Sequence, residues 1–265
     1  MTRTLMVVPA AVILAGCGTA SSSSEGSGPT KSNSVTSRVE WTTVQPPLTA
    51  AGVIDYAKNE GDLVLTSKDA PGEIHALFIG LDTYLGAKID GKMRWAKEAS
   101  PDPPRGTDRF LPGPRGTKPN AVLAALEAAS SKVDQLGSEK VRGVDATHYK
   151  AHLAAAKLGK NAAVPDDTVI DAWIDEDGLA RRIRKPDGTF DFYDYGVHAD
   201  IEAPSADDVV TEDEFDKLMT KECAKSDAAK NTPVWCILFG TVTESSGSTG
   251  YGPTTTMPTT TTDGK

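Results

Sequence analysis

Three cysteines carry the widest chemical repertoire in this 265-residue chain, and their surroundings divide them into two groups. Cys17 closes the run Leu14-Ala15-Gly16-Cys17 directly after an apolar stretch from Leu5 to Ala15, so its thiol stands at a junction rather than in a core. Cys223 and Cys236 lie near the other end. They can close a short disulfide loop, worth about 3 kcal/mol by chain entropy, or stay as two thiols. Neither shows a redox or zinc spacing. His148 and His152 are the only close histidine pair. On one strand they share a face about 13 Å apart, too far to hold one metal, and are expected to be solvated surface histidines. Asp171 and Asp175 have the same spacing and are expected on a solvated outer face. Arg181, Arg182, Arg184 and Lys185 form a basic cluster that suits an anionic headgroup, but in an acidic protein pairing with nearby acids is the plainer expectation. Nucleophile elbow, phosphate loop and zinc signature are all missing. No catalytic residue, metal ligand or cofactor is assigned, and the chain is not expected to be an enzyme.

The elements around Cys17 favour covalent lipid chemistry on its thiol. One positive charge, Arg3, precedes the apolar run, which is too short to span a bilayer needing about 20 apolar residues. A charged start, a short apolar segment and small residues read as a secretory signal over 1–16. Leu14 to Cys17 resembles the bacterial lipobox, which implies a diacylglycerol on Cys17, cleavage after Gly16 and acyl chains such as palmitate as the anchor. Two chains suffice for stable anchoring, at about 0.8 kcal/mol per buried methylene. A chance cysteine behind an ordinary signal is the bland alternative. Residues 17–34 are Ser/Gly-rich and read as a flexible tether. The expected location is therefore the cell membrane, lipid-anchored at its extracytoplasmic face.

Removing Arg3 with the signal leaves 37 acidic and 27 basic residues. That balance argues against nucleic acid and against electrostatic docking on anionic lipid. The membrane contact then runs through the lipid on Cys17, and no protein partner is identified. Residues 241–265 are rich in Ser, Gly, Thr and Pro and are expected to be disordered. The folded domain is expected over 35–240.

Within it, strands are predicted over Val35–Val44, Ala51–Ala57, Asp62–Thr66, Ile74–Ile79, Thr83–Ile89 and Met93–Lys97. Ile74–Ile79 is apolar on both faces apart from His75, which marks a central strand. Asp90-Gly91 is a hairpin signal. Pro101–Lys118 reads as a loop. Val122, Leu126, Ala129, Val133 and Leu136 recur at three- and four-residue spacing, which predicts a long helix over Asn120–Leu136 closed by Gly137. Four further strands follow around Thr147–Leu153, Ile170–Ile174, Leu179–Arg184 and Thr189–Tyr195. Thr211 to Glu214 forms a capping box that opens a helix carrying Phe215, Leu218 and Met219. The fold class is α+β: a curved antiparallel sheet, a half-barrel, with a long helix packed in its concave face.

Several stretches resemble the LppX/LprAFG-type lipoproteins of actinobacteria, within the LolA-like superfamily. They are Ser37-Arg38-Val39, Gly52-Val53-Ile54-Asp55-Tyr56, Tyr84 with Gly91 to Trp95, Val141 to Tyr149, Ala172 to Gly178, Arg181-Arg182, and Tyr193 to Val197 before Pro204. The likeness covers about 35–210, leaving the C-terminal helix and disulfide loop over 211–240 as an addition. The helix that usually precedes the first strand in that family is replaced here by the tether. The resemblance implies an apolar cavity between sheet and helix, holding an acyl lipid or lipoglycan for transport across the envelope. Tyr149, Leu153, Ile170, Ile174, Ile183, Phe190, Phe192, Val122 and Leu126 are the expected lining. The alternative is an envelope sensor or protein-interaction module with the same fold and a filled core.

Overall fold

A computed structural model describes residues 36–45, 47–98, 112–113, 115–158, 164–225 and 232–238. Six strands come first in an antiparallel meander: β1 Thr36–Thr43, β2 Thr49–Asp55, β3 Glu60–Ser67, β4 Ala70–Ile79, β5 Asp82–Ile89 and β6 Lys92–Glu98. Helix α1, Val122–Ala129, follows a 3-10 turn at Pro119–Ala121. Then come β7 Ser130–Val141, β8 Val144–Leu153, the short α2 Ala155–Leu158, β9 Val169–Asp175, β10 Ala180–Lys185 and β11 Gly188–Tyr193. β11 returns to pair with β1, placing Val39 opposite Phe192 and Trp41 opposite Phe190. A two-residue strand, β12 Val209–Val210, runs parallel to β6 and leads into α3, Glu212–Lys225, and α4, Val234–Leu238. The result is one curved, unclosed sheet of twelve strands with β12 and β7 at its edges.

The chain turns where its sequence permits positive φ. Asp90 and Gly91 have φ of 48° and 80°, and Arg142 and Gly143 have 48° and 83°, so both tight hairpins use left-handed pairs matched to strand twist. Central β4 sits between β3 and β5, as its two-sided apolar pattern requires.

The helix at 120–136 is shorter than its periodicity predicts. It ends at Ala129, and Ser130 is already extended with ψ of 149°. Ser130 and Ser131 are weaker helix formers than the alanines before them, and from Ser130 the chain pairs with β8. Val133 therefore points inward by strand alternation, while Leu136 is left 53% exposed. Gly137, expected to cap the helix, sits instead at a register shift in β7 with φ of 135°. A three-residue spacing of two apolar residues could not separate a helix continuing from a bulged strand.

Strand alternation gives the sheet one apolar face, which we call inner because α1 packs on it. One row shows its continuity: Ala96, Leu85, Ala76, Leu63, Gly52, Val39 and Phe192 are consecutive cross-strand partners from β6 to β11. Gly52 is required in that row, because a Cβ there would lie 1.9 Å from the Asp62 carbonyl oxygen.

Candidate functional site

All nine residues expected to line a cavity lie on or against the inner face and belong to one cluster. Val122 and Leu126 descend from α1. Tyr149 and Leu153 rise from β8, Ile170 and Ile174 from β9, Ile183 from β10, and Phe190 and Phe192 from β11. Tyr149 is half-buried and the other eight are buried, several with no accessible surface at all. The cluster extends further than the sequence indicated. Val39, Ile54, Tyr56, Leu63 and Ala76, from β1 to β4, complete it. Their alternation was visible in the sequence, but only the β1–β11 pairing brings both halves of the chain onto one floor.

The margin of this floor is apolar and partly accessible. Trp41, Leu65, Phe78 and Leu85 are half-buried against the cluster. Trp41 packs on Phe190 with ring centroids 5.6 Å apart, and its buried indole N–H has no hydrogen-bond partner in the described structure. Lys185 lays its ammonium 5.2 Å from the Phe190 ring centre and pairs with Asp187. A small polar set lies near the start of β1. The Ser37 and Tyr56 hydroxyls are 2.8 Å apart, and Tyr195 donates to the Ala180 carbonyl at 2.5 Å. Burial raises both tyrosine pKa values above the ordinary range, so both stay neutral hydrogen-bonding groups.

A second apolar cluster occupies the same face at the β4–β6 end. Phe215, Met219 and Cys223 of α3, with Val234, Trp235 and Cys236 of α4, cover Ala70, Ile74, Ala87, Ile89 and Ala96. Thr211 Oγ accepts from the Glu214 amide, which caps α3 as its sequence predicts. Cys223 and Cys236 are joined by a disulfide. Leu65 touches both clusters, so it marks the border between them.

The outer face corrects three expectations. Asp171 and Asp175 are buried rather than solvated. The Asp175 carboxylate accepts from Arg181 Nε at 2.6 Å, and Asp171 binds His148 at 2.7 Å and Arg184 at 3.1 Å. His148 is likewise no free surface group, since it stacks on Trp173 at 4.2 Å. The physical reason at Asp171 and His148 is Trp173, which alternation sends outward, where it is 3% exposed; Asp175 is held instead by the Leu179 amide and by Arg181, which lies over the Tyr195 ring. The Trp173 ring is sandwiched by His148, Arg182 and Arg184, and its N–H donates to Glu139. Covering an indole on an outer face takes flat cationic groups, and those groups draw carboxylates under the cover. Burial alone raises the Asp171 and Asp191 pKa values. Hydrogen bonds from His148 and Arg184 to Asp171, and from Arg182 and Arg142 to Asp191, outweigh it and hold both below the usual carboxylate range. The basic cluster at 181–185 is thus paired, each member with its own acid.

Cys17, the signal over 1–16, the tether over 17–34, most of the loop at 101–118 and the tail over 241–265 lie outside the described residues. Among the described residues, no helix is long and apolar enough to cross a membrane, and no three His, Cys, Asp or Glu side chains gather to hold a metal ion.

No protein-family model and no curated protein matches this chain. Among solved structures it is similar to the lipoprotein LppX of Mycobacterium tuberculosis, at 14% identity over 64% of this chain and 91% of that one, with a TM-score of 0.44. It is also similar to LprF from Mycobacterium bovis, at 14% identity over 66% and 91% of the two chains, with a TM-score of 0.43. A third likeness is to the Pseudomonas aeruginosa MucA/MucB complex, at 13% identity over 67% of this chain and 56% of that one, with a TM-score of 0.33. LppX and LprF both fall within the LppX/LprAFG type that the sequence resembles.

Proposed function

We propose that this chain is an exported lipoprotein, anchored through Cys17 to the extracytoplasmic face of the membrane, that holds an acyl chain of a lipid or lipoglycan on its inner face. One observation carries the reading. Apolar side chains run without interruption across the inner face, and between the two helical covers Trp41, Leu65, Phe78 and Leu85 keep accessible surface. Apolar surface held open in a folded protein is useful for a ligand that water rejects. The lipobox at 14–17 and a disulfide suited to an oxidising compartment support the location. Of the nine residues expected to line a cavity, the seven on β8 to β11 form the floor, reached by a ligand as α1 moves off it with Val122 and Leu126. The margin residues make its first contact.

A second reading, an envelope sensor or protein-interaction module, draws on the packing of the same floor. Val122, Leu126, Leu153, Ile170 and Ile183 have no accessible surface, whereas side chains beside a standing hollow retain some. Fluorescent fatty-acid titration of the mature protein separates the two. Saturable binding that weakens at least tenfold in Trp41→Ala supports the carrier. Absence of binding together with one dominant cross-linked protein partner in cells supports the module.

A further inference from the structure

α3 and α4 sit on the face that the proposed ligand would use. By cross-strand pairing, Ala96 and Leu85 stand in one row with Ala76, Leu63, Val39 and Phe192, so the floor under α3 and the floor under α1 are parts of one surface. From β6 to β11 that row crosses six strand spacings, about 29 Å; from β4 to β11 it crosses four, about 19 Å. The difference is the part occupied by α3, packed on β5 and β6, and α4, packed on β4.

The occupant is seated rather than laid loosely. A Cβ on Gly72 of β4 would come 2.2 Å from the Trp235 ring, so the strand keeps a glycine where the indole rests. β12 ties the approach to α3 to the β6 edge, Lys225 at the end of α3 binds Asp90 at 2.6 Å, and the Cys223–Cys236 bond holds α4 against α3. α4 has only five residues and cannot keep its place by helix formation alone.

We propose that the α3–α4 unit, with Trp235 seated on β4, is a disulfide-held stopper that shortens the inner face open to an acyl chain and so limits the length of chain it holds. This rests on the carrier reading and adds which ligand the face admits: acyl chains up to a limiting length, as opposed to chains of any length.

The test is native mass spectrometry of the mature protein titrated with saturated fatty acids of increasing length. It is run on the wild type before and after reduction, on Trp235→Ala and on Gly72→Ala, with thermal unfolding confirming that each remains folded. Each methylene newly buried strengthens binding about fourfold. The expected result is a sharp length limit in the wild type. Reduction and Trp235→Ala then move that limit to longer chains, with at least a tenfold gain for the longest acids. A wild type that binds nothing while Trp235→Ala binds one chain also supports the stopper. Identical length profiles in all forms overturn the stopper and leave the carrier reading standing. Absence of binding in every form overturns both.

Discussion

Replacing Leu126 by alanine tests the packing of α1 on the floor directly. Leu126 is fully buried in the main cluster and, with Val122, anchors a helix of eight residues. That helix has no side-chain hydrogen bond at its N-terminal cap and is too short to persist on propensity alone. The change removes the transfer energy of the lost carbons and leaves a hole, which together cost about 3–5 kcal/mol at a fully buried leucine. In a folded part of roughly 200 residues, each kcal/mol lowers the unfolding temperature by about 2–4 °C, so a drop on the order of 10 °C is expected. Calorimetry gives the drop, and native-state hydrogen exchange shows whether the α1 amides open before the sheet. Fatty-acid uptake should quicken, because α1 covers the floor and its detachment uncovers it. A cost below about 1 kcal/mol, or α1 amides as protected as before, would refute the packing on which this depends.

Other outcomes follow from the same structure. Breaking the Cys223–Cys236 bond by reductant or by a double serine variant should cost about 3 kcal/mol, read as a lower unfolding midpoint in urea. Asp171 and Asp191 have folded pKa values below their unfolded ones, so their stabilisation is complete above about pH 4 and is lost as pH falls through the folded values. Stability measured against pH should therefore fall on the acid side, and Asp191→Asn should flatten that slope. Cys17→Ser should leave the precursor unprocessed at the lipobox and remove acyl mass from the purified protein, which intact-mass measurement reports.

Strand positions in the meander were legible because alternation and glycine-bearing turns are local signals. Asp90-Gly91 needs only two residues to announce a hairpin. The end of α1 was not legible. Val133 and Leu136 satisfy helical spacing by coincidence, and what decides their conformation is pairing with β8, a partner beyond the reach of periodicity. The floor was half legible. Phe190 and Phe192 declare an apolar face, but their opposition to Trp41 and Val39 joins segments about 150 residues apart in sequence and follows from closing β11 onto β1. The outer face was misread for a related reason. Asp171, Asp175 and His148 look like solvated alternates of a half-buried strand, and the outward Trp173 that gathers Asp171 and His148, like the Arg181 that pairs with Asp175, is a tertiary fact.

The most direct measurement is the mass of the mature protein released gently from its own membrane and held under native conditions. Acyl-chain occupancy of the inner face predicts added mass corresponding to a non-covalent lipid, lost on denaturation and diminished in Trp41→Ala. A protein that carries only the covalent lipid on Cys17, and that takes up no fatty acid when offered it, would contradict the carrier reading.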